Sequence, residues 1–431
     1  MARYLFACWP FPGHLFPALS VAVAVRERGG EAAFYTGEAA RPHLEQEGFT
    51  LFPFEALDEQ RFRRVQTREA GTAGRRQSLR VSHQAFRDWM VETIPGQVAD
   101  LGAVIAGWKP DVVITDLSMW GPMVILHEKG PVPVAILSFA GTMIPGPDAP
   151  PWGFGLKPPR TATERALATV LRRGTDLVAR GIRRRLDELR AEHGLGPLGG
   201  PVNAYSARLP LYLSATLAEL DYNRRSLPAS VHYVGPCIWN PPTSSETAAW
   251  LDAIPAGRPW VHVTEGTSHN QEPFLLRAGV EGLARRPMEV ILTTGGQRDP
   301  ETLGFGPVAP NIHLTRWVSH RELLPRCEAV VTTGGSTSIM AALQAGAPLV
   351  VVPTTWDKPD NARRVVEAGV GVRLAPRRCS PSSLRTAVEE VLGDPGYRAR
   401  ARHIADRLGE APGPAGAAGL LEDLTRAVQN R

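Results

Sequence analysis

Short apolar runs, each followed by a turn and then a stretch with helical spacing, recur along almost the whole of this 431-residue chain. That alternation constrains the fold more than any other feature. Strands separated by helices must return by crossovers, which makes parallel sheets covered by helices on both faces, the α/β class. In the first half, residues 4–9, 32–36, 111–116 and 132–139 read as buried strands, with 209–215 and 231–236 closing it. Helices are expected over 15–28, 79–107 and 118–129, and one basic amphipathic helix over 161–193, after a Pro/Gly-rich loop at 140–160. The polar, proline-paired stretch 240–246 has nothing apolar to bury and reads as a linker. Beyond it the alternation restarts, with strands at 260–264, 290–294, 312–314, 329–333 and 349–353. Helices fill the gaps at 272–285, 336–345, 361–368 and 381–392, and a last one at 417–428 follows a Pro/Gly break at 412–416. The chain is too long for one core, so two Rossmann-like domains facing a cleft are expected. Their bounds are 1–240 and 241–410, with a helical tail at 411–431 returning to the first domain.

Hydrophobic content of 43% beside 21% charged residues fits a globular protein, and no apolar run reaches the roughly 18 residues of a membrane span. The apolar start, residues 1–10, lacks a small-residue cleavage site and runs into a Pro/Gly turn, so it reads as a first strand rather than a signal peptide. Cys8, Cys237, Cys327 and Cys379 are scattered without paired spacing, which points to free thiols in a reducing cytoplasm and away from zinc. The net charge of +5 comes mostly from Arg interleaved with Glu and Asp, concentrated at 61–80 and 160–190, which reads as solvated faces. Without interleaved aromatics it is not a nucleic-acid surface.

Two places carry residues suited to chemistry. Gly334 and Gly335 let a backbone approach a ligand closely, and Ser336, Thr337 and Ser338 open the next helix with hydroxyls and unpaired N–H groups. A diphosphate suits such a helix start, although many α/β proteins use the same turn only to reverse the chain. At the other end, His14 follows Pro12-Gly13 at a helix start, where its ring either reaches into a cleft or merely caps. Asp116 ends a strand and serves either as a partner for that ring or as an N-cap near Ser118. Trp89, Trp120, Phe139 and Met143 lie on segments bordering the first half of the cleft, as core residues or as an apolar ligand wall. No Asp-x-Asp metal motif appears, so no metal site is expected.

The stretch 329–370 as a whole is far more specific. It resembles the donor-binding region of family 1 glycosyltransferases, the group that includes plant flavonoid and bacterial macrolide enzymes. Their pattern runs apolar strand, His-Gly-Gly-x-Gly-Thr, helix, Gly-x-Pro, apolar strand, Pro, then Asp-Gln and Asn-Ala-x-x-Val. Here the matching residues are Thr333-Gly334-Gly335-Ser336-Thr337-Ser338, Gly346-Ala347-Pro348, Pro353, Asp357-Lys358 and Asn361-Ala362. Trp317-Val318 stands where the family stacks the nucleotide base, Gly266-Thr267 where it places a turn beside the phosphates, and Gly13-His14 where it has Gly-His-x-x-Pro. The resemblance implies the two-domain GT-B fold, with His14 as general base and Asp116 fixing its tautomer. An attacking alcohol must lose its proton, and imidazole has a suitable pKa. The implied reaction is inverting, metal-independent transfer from a dTDP- or UDP-sugar, a co-substrate rather than a cofactor. The implied acceptor is a small apolar molecule, such as a polyketide or aromatic natural product of antibiotic biosynthesis, and the implied assembly is a monomer or homodimer.

The departures are instructive. Thr333 replaces the histidine that contacts phosphate, with the helix start, His269 or His320 as substitutes. Lys358 replaces glutamine, and an ion pair with Asp357 or Asp360 is the expected arrangement, which would suit a deoxysugar and hence dTDP; direct contact with the sugar is the alternative. Two rival readings stay open on the sequence: a non-catalytic partner-binding relative, and another sugar-nucleotide enzyme of the same fold. A lipid-linked sugar transferase would carry Gly-Gly-x-Gly-Gly in its first loop, and residues 8–14 do not.

Overall fold

A computed structural model describes residues 1–60, 84–242, 244–267, 272–296 and 298–430. The basic stretch 61–80, the beginning of the helix expected at 79–107, and His269 lie outside them. Two wholly parallel sheets organise the described residues. The first orders its strands β3 (Thr50–Pro53), β2 (Glu31–Thr36), β1 (Arg3–Ala7), β4 (Val112–Asp116), β5 (Val134–Ser138), β6 (Leu211–Ser214) and β7 (Val231–Tyr233). The second orders β10 (Ile312–Thr315), β9 (Glu289–Thr293), β8 (Trp260–Thr264), β11 (Cys327–Thr332), β12 (Leu349–Val351) and β13 (Gly371–Arg373).

Central strands are apolar at successive positions because helices cover both faces. In β1, Leu5 and Ala7 enter one core cluster while Tyr4 and Phe6 enter the one opposite. In β11, Ala329 and Val331 face one cluster and Val330 the other. Each sheet reverses its strand order once, between β1 and β4 and between β8 and β11, and a parallel sheet opens a crevice beyond the carboxyl ends of such strands. The first reversal delivers His14, on the helix Pro12–Glu27 after β1, beside Asp116 at the end of β4. The second delivers Gly266 after β8 and Gly334 after β11.

Several elements differ from expectation. The stretch 161–193 is two helices, Ala162–Val178 and Arg180–Glu192, broken at Ala179. The second buries Ile182, Leu186 and Leu189, whereas the first leaves Leu167, Val170, Leu177 and Val178 exposed. The helix expected at 118–129 is present over 120–129, but it is wound more widely over Pro122–Leu126 before closing at His127–Lys129. The last helix, Gly413–Gln429, runs through the expected break, because Pro414 lies in its first turn, where no N–H is needed. That helix packs Ala417, Ala418 and Leu421 into the same cluster as Leu15 and Leu19, and Glu422 takes both arms of Arg28 at 2.7 and 2.8 Å. No helix among the described residues is long and apolar enough to cross a membrane.

Candidate active site

Register explains how His14 finds Asp116. Ala7 pairs with Thr115, so Asp116 ends one residue beyond it, level with the turn leading from Cys8 to the first helix. His14 Nδ1 and Asp116 Oδ2 are hydrogen-bonded. The other carboxylate oxygen accepts from Ser118 N at 2.7 Å and Ser118 Oγ at 2.8 Å. With both oxygens committed, Asp116 orients the ring and favours the tautomer whose Nδ1 donates. Nε2 of His14 keeps its lone pair, and the ring stands edge-on to Phe139 at 4.4 Å on the wall of a cavity of about 710 Å³.

That cavity brings together Trp89, Trp120, Phe139 and Met143 with His14, and Asp357 and Lys358 also line it. Trp89 and Trp120 line this cavity and belong to the first-half core as well. Sequence reasoning missed Trp356. This residue follows β12, yet its ring stacks on Phe86 at 5.7 Å and stands edge-on to Trp89 at 5.3 Å, across the cleft. Its φ of 62° is left-handed, a conformation a bulky residue adopts only under constraint. The available signal was its place beside Asp357.

On the opposite bank, Gly334 has φ 95°, and a Cβ there would meet Lys358 O at 3.2 Å and Val351 Cγ1 at 3.1 Å. Only glycine fits. A Cβ on Gly335 or Gly266 would meet open space. Asn361 Nδ2 shares its two protons among Gly334 O (3.0 Å), Ser336 Oγ (2.9 Å) and Asp357 Oδ2 (2.7 Å), and Ser336 Oγ donates to the same carboxylate at 3.0 Å. These contacts fix the loop 353–357 onto the start of the helix Ser336–Gln344. Thr337 comes up against the first half, its Oγ1 3.9 Å from where a Cβ on Gly13 would lie, and Ser338 sits half-buried in the first helical turn. Val318 is in the core by its side chain. Trp317 stacks on His320 with ring centres 6.2 Å apart and also packs against the first-half core.

Three side chains here are held in ways the sequence did not show. Thr332 pairs with Thr264, which sets Thr333 beside Glu265, and the Thr333 hydroxyl donates to Glu265 O at 3.0 Å. Its single proton is therefore committed to that carbonyl. His320 supplies no positive charge at neutral pH, since burial lowers its pKa to about 4; burial, with help from His320, lowers that of His262 to about 3. Lys358 forms no ion pair with Asp357 or Asp360: Asp357 serves Ser336 and Asn361, and Asp360 accepts from Gly153 N and Gly155 N at 2.6 and 2.7 Å. The lysine Nζ lies instead 3.4 Å from Thr333 Oγ1. Nearby, burial raises the Glu265 carboxyl to about 7, against the pull of Leu275 N and Arg298.

Comparison with known proteins follows the same lines. Residues 279–424 match the family described as erythromycin biosynthesis protein CIII-like, C-terminal domain. The chain is 33% identical over 428 residues to the 4'-demethylrebeccamycin synthase of Lentzea aerocolonigenes, covering 98% of this chain and 99% of that one. Among solved structures, the glycotransferase of kitacinnamycin aligns with a TM-score of 0.75 at 23% identity, over 98% of this chain and 99% of its own. A spinosyn rhamnosyltransferase complexed with thymidine diphosphate aligns with a TM-score of 0.68 at 22% identity, over 98% and 100%. At these identities the two structures speak to fold.

Proposed function

Because the chain belongs to the natural-product glycosyltransferases of GT-B fold, we propose that it moves a sugar from a dTDP- or UDP-sugar onto a small apolar acceptor, with inversion and without a metal ion. The observation that carries this reading is the oriented His14–Asp116 pair opening on a cavity whose far wall is Trp356, Asp357 and Lys358. One space thus touches both the base and the loop after β12. In the step, the acceptor oxygen attacks the anomeric carbon while its proton passes to His14 Nε2. The bond from that carbon to the diphosphate oxygen breaks, and its electron pair leaves with the diphosphate. Asp116, with both oxygens engaged, favours a single displacement over a carboxylate-bound sugar intermediate, which supports inversion. Residues 1–240 then form the acceptor domain and 241–410 the donor domain, with the tail 411–431 returning to the first.

Gly266, Thr267 and Gly334 to Ser338 are assigned to the diphosphate, Trp317 and the Val318 backbone to the base, and Asp357 and Asn361 to the sugar side. The cavity's aromatic lining supports a polyketide or polycyclic aromatic acceptor, as does the likeness to a rebeccamycin-pathway synthase. The ion pair that favoured a deoxysugar is not formed, so the order of dTDP-deoxysugars before UDP-glucose is for the donor panel to decide. Free thiols at all four cysteines suit a reducing cytoplasm. Titration calorimetry with dTDP and UDP, followed by turnover on a donor panel with aromatic and polyketide acceptors, tests the reading. Binding of at least one nucleotide is expected, and a chain that binds neither ends it.

A further inference from the structure

We propose that Asp360 is a positioning residue for the acceptor: from the second half of the chain it holds the loop that walls the acceptor cavity in the first. This rests on the acceptor site proposed above. Pro150, Pro151 and Trp152 line the cavity that also contains His14, and Asp360 lines it from the helix Lys358–Glu367. Both oxygens of that carboxylate accept from the loop, Oδ2 from Gly153 N at 2.6 Å and Oδ1 from Gly155 N at 2.7 Å. The side chain is 3% exposed, so the two charge-assisted bonds are shielded from water.

The loop backbone is shaped to meet a carboxylate. Gly153 and Gly155 have φ of 88° and 60°, both left-handed, and their N–H groups converge on one anion from two residues apart. A Cβ on Gly155 would lie 2.5 Å from Pro359 O and 2.8 Å from Arg373 Nη1, so glycine alone lets the loop come this close. Arg363 and Arg373 donate to Gly155 O at 3.1 and 2.9 Å, which holds the same residue by its N–H and its carbonyl together.

The other end of the loop is tied to the first half. Arg172 donates through Nη1 to Gly146 O at 2.9 Å and Ala149 O at 3.1 Å, and Asp148 accepts from Arg225 N and Ser226 N at 2.7 and 2.9 Å. Pro150, Pro151 and Trp152 therefore bridge from one half to the other, and two of the three have φ fixed by their rings. Such a span has little slack, so a shift of the second half moves this wall of the cavity. On the same helix, Asn361 is bonded to Gly334 O and Ser336 Oγ. Adjacent side chains thus grip the Gly334 turn and the cavity wall, and acceptor affinity depends on the register of the two halves.

The test follows binding of two aromatic alcohols, alizarin and 1-naphthol, by quenching of tryptophan fluorescence, since Trp89, Trp120 and Trp152 line the cavity. Both probes, and dTDP beside them, are titrated into the full chain, Asp360→Asn, Gly155→Ala and the double variant. Asparagine keeps the shape of the side chain but turns an amide NH2 toward one of the two N–H groups, so one bond is lost. A hydrogen bond to a charged group corresponds to about 10-fold in affinity at its lower end, and that loss is expected for both probes. Gly155→Ala leaves the carboxylate intact and is expected to lose as much. Because each change opens the same contact, the double variant binds no more weakly than the weaker single one. Affinity for dTDP stays at the wild-type value, which also shows that the variants are folded. Wild-type probe affinity in both single variants overturns the proposal. Losses that add in the double variant overturn it too, as does an equal loss for dTDP, since these residues would then support the fold at large. A wild-type chain that binds neither probe removes the aromatic acceptor reading itself, a result distinct from all three.

Discussion

With Nδ1 engaged by Asp116, the His14 imidazole presents Nε2 to the cavity, and the proposed proton transfer runs to that atom. His14→Ala is expected to lower kcat about 100- to 10,000-fold, the usual worth of a general base, while dTDP affinity stays unchanged. Asp116→Asn costs less, because the ring keeps its place and loses only its preferred partner. Steady-state turnover with an alcohol acceptor decides the matter, and a His14 variant turning over at the wild-type rate dismisses the assignment. Both residues were legible in the sequence because each ends a strand or opens a helix, where side chains leave the core. Trp356 was not. Nothing in Thr-Thr-Trp-Asp announces a backbone turned to φ 62° or a ring crossing to Phe86. Lys358 was legible as a charge but not as a direction, since its two flanking carboxylates had other donors that only the folded chain brings near.

Elements were read best where both faces are buried. The central strands β1, β4, β8 and β11 carry apolar residues at nearly every position, a signal local sequence holds in full. Overlooked were β3 and β13, short strands at the sheet edges whose residues are mostly half-exposed, and the helix Pro395–Glu410, which buries only Ala401, Ile404 and Leu408 among many charges. Neither kind has enough apolar surface to mark its period. The loop 353–357 lies between these cases: it has no regular structure, yet it joins the Gly334 turn to the aromatic wall of the cavity through Trp356. Trp356→Ala is expected to raise the acceptor KM roughly 2- to 10-fold, the worth of lost aromatic contacts, with dTDP affinity retained. Trp356→Gly should be the more stable of the two by about 1 kcal/mol in thermal unfolding, because glycine takes the left-handed backbone without strain. An alanine variant as stable as the glycine one, with acceptor KM unmoved, would show that the loop neither stores strain nor contacts the acceptor.

At the scale of the molecule, the two halves are held together by polar contacts at the cleft and by the last helix on the far side. Gly153 and Gly155 in the first half give their N–H groups to Asp360, and Arg363 and Arg373 return bonds to Gly155 O at 3.1 and 2.9 Å. The centre of this seam is the pair between Arg364 and Asp221, whose carboxylate is fully buried and whose guanidinium is largely so. Asp221 also accepts from Thr142 N at 2.9 Å and Tyr233 hydroxyl at 2.8 Å, so the carboxylate is well held from its own half and is neutralised from the other. Burying two charges costs much of what their attraction returns, so the pair is weak evidence for overall stability. Breaking it is another matter. Arg364→Met leaves a carboxylate in the seam without a counter-charge, and an expected loss of about 3–5 kcal/mol follows. Removing the orphaned charge as well, in Asp221→Asn with Arg364→Met, should recover a large part of that loss, because the amide still accepts from Thr142 and Tyr233. Urea unfolding of the two single variants and the double gives the coupling directly, expected at about 0.5–3 kcal/mol. Turnover should not recover with stability. Arg364 registers the helix Lys358–Glu367 against the first half, and a neutral seam would let that helix, with Lys358 and Asp357 at its head, drift relative to His14. A double variant that regains stability and full kcat together would mean that the pair holds the halves near each other without setting their register.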